Sequence, residues 1–375
     1  MPTILVLHCP AGGGHRAAAH AIAEAAVELG VTCEVLDALS LTPPWFARAY
    51  VGAHLTSTEH APWLYGAGFA AMNRRRHGIT DELRGAFDRT AGHRLRRRVL
   101  QIAPSVVVAT HFFPLAALGR ARQTGELSAA LVGVVTDYAA HAFWAEPGVD
   151  RYCAPSGRAP RDLVRHGAAP ESIVATGIPI RGAFGRIPAF ALPDAVAPLR
   201  VLVTSGGFGV GPVVQVIRSF ADPVRSGARV HLTVVCGDNR NRVEQARRAA
   251  RDASVPAKII GFERDMPARL AESHVVIGKP GGLTASECLA AGRPMVVVGA
   301  CPGQEMLNQR WLIESGAAAL ATSTDAGRVA LDLASSGALR ALAENARALS
   351  APDAARRVVE VALRVAEPAP SRRAA

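Results

Sequence analysis

The stretch Cys9-Pro10-Ala11-Gly12-Gly13-Gly14-His15-Arg16 places three consecutive glycines and a titratable imidazole at the end of the apolar run ILVL. An alanine-rich segment with helical spacing follows, so the glycines fall at a strand-to-helix corner. Glycines there admit positive φ angles and let a ligand approach the backbone. The helix behind them directs free N–H groups and a partial positive charge at that ligand. The same field favours the neutral form of His15, which can then accept a proton as a general base. Seen alone, GGGH also reads as a tight turn beside a surface histidine.

It does not occur alone. A second glycine-rich corner, Ser205-Gly206-Gly207-Phe208-Gly209-Val210-Gly211, follows the strand-like RVLVT and lacks the spacing of a dinucleotide fingerprint. Gly261 and Phe262 follow another apolar run, AKII. Gly278-Lys279-Pro280-Gly281-Gly282-Leu283-Thr284 is a third helix-opening loop, able to hold phosphate through backbone N–H groups and the Thr284 hydroxyl. Lys279 adds one of only two lysines in the chain, the other being Lys258. Glu287, in the first turns of that helix, suits the paired hydroxyls of a ribose. Gln304, Glu305 and Asn308, within PGQEMLNQ, offer donors and acceptors for sugar hydroxyls. Any one of these polar residues could simply cap a helix; their concentration in one half of the chain weighs against that.

The elements that must position these groups are legible as an alternation. TILVLH, TCEVLDA, SVVVATH, ALVGVVTD and RYCAP read as buried strands in the first half, and RVLVTSG, RVHLTVVCG, AKIIGF, HVVIGK and PMVVVG in the second. Segments such as RAAAHAIAEAAVEL and RVEQARRAARDA lie between them with helical spacing. Buried strands alternating with helices predict an α/β chain with parallel sheets and right-handed crossovers. The proline-rich GRIPAFALPDAVAP between the halves predicts a linker. The expected organisation is a Rossmann-like domain over 1–185, a linker over 186–198, a second Rossmann-like domain over 199–350, and a C-terminal helix with a disordered tail over 351–375. Two doubly wound domains facing each other would leave a cleft between the carboxyl ends of their strands.

A chain of 375 residues accommodates two such domains, and no apolar run approaches a membrane span. No secretion signal is legible at the N-terminus. The six cysteines are scattered and the twelve histidines lack ligand spacing, so a reduced, cytoplasmic, metal-independent protein is expected. The net charge of +11 is almost entirely arginine. Composition bias alone can produce such an excess, but Arg74-Arg75-Arg76 and Arg94, Arg96, Arg97 and Arg98 cluster in one region. Just before Arg74, Trp45, Phe46, Tyr50, Trp63, Tyr65 and Phe69 form a concentration of aromatics in an aromatic-poor chain. Aromatic residues bordered by arginines suit a segment lying in the interface of an anionic membrane, although they could also pack on their own core. A nucleic-acid partner is not expected, because charge is its sole support.

GGGHRAAA, the corner from Gly207 to Pro212, KPGGLTASE and PGQEMLN, in this order and spacing, resemble the monogalactosyldiacylglycerol synthase and processive diacylglycerol glucosyltransferase family. VVTDYAAHAFWAEPGVDRYCAPS and LVRHGAAPESIVATGIPIR resemble its middle signatures. A more distant similarity is to the cell-wall glycosyltransferase that completes lipid II. The resemblance implies a glycosyltransferase-B fold and metal-free, inverting transfer of glucose or galactose from UDP-glucose or UDP-galactose to diacylglycerol or a related lipid. It implies His15 as the base, with Asp137 as the runner-up or its orienting partner. It places Gly14, Ser205, Gly206, Gly207, Gly209, Lys279, Pro280, Gly281, Gly282 and Thr284 near the diphosphate, Phe262 near uracil, Glu287 on ribose, and Gln304, Glu305 and Asn308 by the sugar. Trp45, Phe46, Trp63, Tyr65, His141, Trp144, Arg74, Arg75 and Arg76 fall to the acceptor and membrane side, for an enzyme peripheral on the inner face of the cell membrane. Two alternatives stay open. One is a glycosyltransferase for an apolar small molecule, and the other a nucleotide-sugar-binding regulatory protein.

Overall fold

The computed structural model describes residues 2–10, 13–60, 63, 66, 70, 73, 90–192 and 197–367, giving only the helical backbone of 53–60. The chain divides into two compact units, Met1–Arg181 with Asp353–Ala375, and Gly182–Pro352.

In the first unit, β1 (Thr3–His8), β2 (Thr32–Asp37), β3 (Val106–Ala109), β4 (Ala130–Val134), β5 (Arg151–Ala154) and β6 (Ile173–Ala175) form a sheet in the order β2-β1-β3-β4-β5-β6. Its pairings are parallel. The helices accompanying them are α1 (Gly13–Glu28), α2 (Pro44–His60), α3 (His93–Ile102), α4 (Phe112–Gln123) and α5 (Ala159–Arg165). A parallel sheet covered on both faces needs unbroken apolar strands, and Ile4 to Leu7 and Val106 to Ala109 are at most 1% exposed. Successive β1 side chains divide between the layers. Leu5 and Leu7 join Leu95 and Val99 of α3 and Phe113 and Leu115 of α4. Ile4 and Val6 join the small face of α1, built from Ala19, Ile22 and Ala26.

The second unit repeats the plan. β7 (Leu199–Thr204), β8 (Val230–Val235), β9 (Ala257–Ile260), β10 (Val275–Gly278), β11 (Met295–Val297) and β12 (Ala318–Leu320) form a parallel sheet in the order β12-β11-β10-β7-β8-β9. Its helices are α6 (Val213–Arg218), α7 (Ala221–Arg225), α8 (Arg240–Asp252), α9 (Met266–Glu272), α10 (Gly282–Ala291), α11 (Gln304–Glu314), α12 (Ala326–Ser335) and α13 (Ala338–Ala348).

Three features go beyond the sequence reading. The edge strands β6 and β12 are only three residues each and lie partly exposed, too short to stand out as apolar runs. The chain's last described helix, α14 (Ala354–Ala366), is part of the first unit, burying Val358, Val359 and Val361 against Ile4, Val6 and Val108. Finally, the start of the proline-rich segment is anchored in the second unit. Arg347 donates to the Ile187 carbonyl at 3.0 Å, and Arg293 to that of Pro188 at 3.3 Å. Phe190 and Leu192 pack on that unit's core. The rest of the segment at 193–196 and the tail from 368 lie outside the described residues.

Candidate active site

Open parallel sheets bind ligands beyond the carboxyl ends of their strands, where the order reverses. The first unit reverses between β1 and β3, since β2 lies on one side of β1 and β3 to β6 on the other. His15 stands in the first turn of α1, directly after β1, and the loop after β3 supplies Thr110 and His111. His15 Nδ1 lies 2.7 Å from the Thr110 carbonyl oxygen and 3.1 Å from the Thr136 hydroxyl. A carbonyl can only accept, so Nδ1 carries the proton and the lone pair of the neutral ring is on Nε2. The Thr110 hydroxyl donates in turn to the His15 carbonyl at 2.9 Å. His111 closes the ring's other side, edge-on at 4.6 Å between centroids. Its own Nδ1 accepts the Phe113 N–H at 3.1 Å and so caps α4.

Thr110, His111 and Thr136 were not singled out from the sequence. The signals were the polar endings of SVVVATH and ALVGVVTD, whose meaning depends on β3 lying between β1 and β4. Asp137 directly follows Thr136 and is half-buried, and Gly14 is half-buried beside His15. His141 is buried, its Nδ1 accepting the Phe143 N–H at 3.3 Å, and its ring meets Phe112 at 5.0 Å. Phe112 stacks on His111 at 4.3 Å, so a row of rings runs from His15 to His141.

The second sheet reverses between β7 and β10, where Thr204 pairs with Gly278. The two glycine-rich loops leave from these strand ends. Gly206 and Gly209 both have φ near +70°, and a Cβ at Gly209 would lie 2.3 Å from the Cys236 carbonyl oxygen. Glycine is therefore favoured by conformation at Gly206 and required by both conformation and space at Gly209. Asp238 N–H donates to the Gly207 carbonyl at 3.0 Å, tying the loop after β8 to the one after β7. Phe262, after β9, is 48% exposed, a free aromatic face on this side of the unit. From the other strand, Pro280 and Gly281 lead into α10, which begins at Gly282. Thr284 and Glu287 are half-buried along its first turns, and Gln304 likewise opens α11.

Several expected roles change. Ser205 is buried and its single O–H donor goes to the Val235 carbonyl at 3.1 Å, so it fixes the loop rather than facing a phosphate. Asn308 is 0% exposed and donates to the Pro280 carbonyl at 3.0 Å. It holds the GKPGG loop. Lys279 pairs with Glu305, Nζ to Oε1 at 2.9 Å. Phe46 is 5% exposed and packs on Phe113 at 5.5 Å, and Trp144 is 1% exposed. Both are core residues, not membrane-facing ones, because their apolar surface is already removed from water. Trp45 and Trp63, in contrast, are 62% and 71% exposed. Tyr65, Arg74, Arg75 and Arg76 lie outside the described residues. Among the described residues, no group of three or more His, Cys, Asp or Glu side chains could hold a metal ion, and no helix is long and apolar enough to cross a membrane.

Two family models match, one in each half of the chain. Residues 15–180 match the monogalactosyldiacylglycerol (MGDG) synthase family and residues 200–358 the glycosyltransferase family 28 C-terminal domain. The chain is 26% identical over 325 residues to a processive diacylglycerol beta-glucosyltransferase of Bacillus mycoides, covering 84% of this chain and 81% of that protein. It is 26% identical over 377 residues to monogalactosyldiacylglycerol synthase 3, chloroplastic, of Arabidopsis thaliana, covering 94% and 79%. Among solved structures, MurG of Acinetobacter baumannii superposes with a TM-score of 0.61 at 17% identity, over 97% of this chain and 100% of that one. The calicheamicin glycosyltransferase CalG4 does so with 0.60 at 15%, over 98% and 100%. The fold is that of the glycosyltransferase-B enzymes, and the chain is similar along most of its length to monogalactosyldiacylglycerol synthases and processive diacylglycerol glucosyltransferases.

Proposed function

We propose that this protein transfers a hexose, glucose or galactose, from a UDP-sugar to diacylglycerol, with inversion and without a metal ion. The observation that carries the reading is the hydrogen bond from His15 Nδ1–H to the Thr110 carbonyl at 2.7 Å. It fixes the tautomer whose Nε2 accepts a proton, at the strand ends where a fold of this kind binds its reactants. In the reaction Nε2 takes the proton of the acceptor hydroxyl. The hydroxyl oxygen forms its bond to the anomeric carbon on the face opposite UDP. The bond from that carbon to the diphosphate oxygen breaks, and its electron pair leaves with UDP. Backbone N–H groups of the loops after β7 and β10 stabilise the departing charge. A binding protein has no need of a base with a fixed tautomer, which favours an enzyme over a nucleotide-sugar sensor.

The lipid acceptor draws its support from the names of the relatives and from Trp45 and Trp63, two large apolar side chains exposed to solvent. The basic face of α3, with Arg94, Arg97 and Arg98 exposed, suits a peripheral position on an anionic inner membrane face. The test is formation of a hexosyl lipid from UDP-hexose and diacylglycerol vesicles in EDTA. Product at an undiminished rate supports the reading, and its absence in EDTA with recovery on adding a divalent cation contradicts the metal-free mechanism.

A further inference from the structure

Lys279 and Glu305 come from different loops, one after β10 and one at the start of α11. The pair is mostly buried, its side chains 19% and 24% exposed, with Nζ 2.9 Å from Oε1. The other carboxylate oxygen, Oε2, accepts the Cys301 N–H at 2.7 Å. Each oxygen is thus held by one donor and keeps a lone pair, so the carboxylate is presented as two fixed acceptors. The lysine is confined as well. A Cβ at Gly211 would lie 3.6 Å from Lys279 Cδ, and the loop carrying Lys279 is fastened by Asn308 at the Pro280 carbonyl, 3.0 Å away. A diphosphate would have to compete with Glu305 for the ammonium, whose charge is already met by a close carboxylate.

We propose that Lys279 is a positioning residue that acts through Glu305, orienting its carboxylate to accept from neighbouring hydroxyls of the donor hexose. The diphosphate is then held by backbone N–H groups of the glycine loops, and Lys279 governs sugar recognition rather than nucleotide affinity. This rests on the UDP-sugar reading above and departs from the expectation that Lys279 faces the diphosphate. An uncharged hexose with unsubstituted adjacent hydroxyls is the sugar class such a pair of acceptors suits.

The experiment is calorimetric titration of UDP, UDP-glucose and UDP-galactose into the wild type and the variants Lys279→Met, Lys279→Arg, Glu305→Gln and the Lys279→Met/Glu305→Gln double variant. UDP binding also reports that each variant is folded. Lys279→Met is expected to weaken the better UDP-hexose about 10- to 100-fold, the worth of a charge-assisted hydrogen bond, with UDP itself within about twofold. Lys279→Arg keeps the charge and recovers most of the loss. The double variant is no worse than Glu305→Gln alone, because the lysine acts only through the carboxylate. Equal weakening of UDP and UDP-hexose by Lys279→Met makes Lys279 a diphosphate ligand and overturns the proposal while the donor site stands. Failure of the wild type to bind UDP or either UDP-hexose overturns the donor-site reading and the proposal with it.

Discussion

At the scale of single residues, the proposed reaction assigns the chemistry to His15 and its orientation to its neighbours. Replacing His15 with Ala is expected to lower turnover about 10²- to 10⁴-fold while leaving UDP affinity within about twofold, since a general base accounts for that range. Initial rates and UDP titration on the same preparation check this, and near-normal turnover would move the base elsewhere. Thr136→Val removes one of the two oxygens beside Nδ1 and keeps the side-chain shape. About a tenfold loss in kcat with little change in KM is expected, because an imprecisely held base weakens only the transition state. The glycines and His15 were legible in the sequence because a strand-to-helix corner is a local pattern. Thr110 was not, because it is 95 positions away and reaches His15 through strand pairing. Lys279 and Glu305 were each found as polar groups in helix-opening loops, but nothing local to either one says that they meet.

At the scale of elements, the long buried strands announced themselves as apolar runs, whereas β6 and β12, three residues each at sheet edges, did not. The helix α14 was expected as a C-terminal helix, but its partner was not legible, since an apolar stripe does not say which sheet it covers. A chain ending at Pro352 would expose the first unit's Ile4, Val6 and Val108 layer. Loss of three buried valines removes on the order of 5 kcal/mol, comparable with the whole stability of a domain. Such a chain is expected to show a separate, earlier unfolding transition by calorimetry; one transition at the wild-type temperature would contradict this. In the second unit, His274 is buried and its Nδ1 accepts the Arg200 N–H at 3.1 Å. Burial first, then Arg200 and Arg293, push its pKa down from 6.5 to about 4. Above pH 6.5 neither the folded nor the unfolded chain is protonated there, and the full stability is present. As pH falls from 6.5 towards 4 the unfolded chain takes up a proton that the fold excludes, so stability is lost. The loss is on the order of 3 kcal/mol. His274→Asn keeps an acceptor without the titration, and its urea midpoint should fall less between pH 7 and 4.5 than that of the wild type. Parallel pH profiles would contradict the assignment.

At the scale of the whole molecule, the proposed lipid acceptor and a net charge of +11 together predict one working surface, an anionic bilayer. The charge was legible at once, but which aromatic residues could serve that surface was not. Composition put Phe46 with Trp45 and Trp63, and the resemblance added Trp144; only burial separates the two core residues from the two exposed ones. Replacing both exposed tryptophans with Ser should weaken co-sedimentation with anionic vesicles about tenfold or more, and leave UDP affinity unchanged. Wild-type sedimentation of that variant would contradict a role for either residue in membrane contact. The central claim is that one chain joins a UDP-hexose site to a lipid acceptor site. Its most direct test is UDP release by the purified protein from UDP-glucose and from UDP-galactose, with and without vesicles carrying diacylglycerol. Release from one or both donors that requires diacylglycerol, and falls at least a hundredfold in His15→Ala, is the predicted result. Release at the same rate without diacylglycerol, or none from either donor, would contradict it.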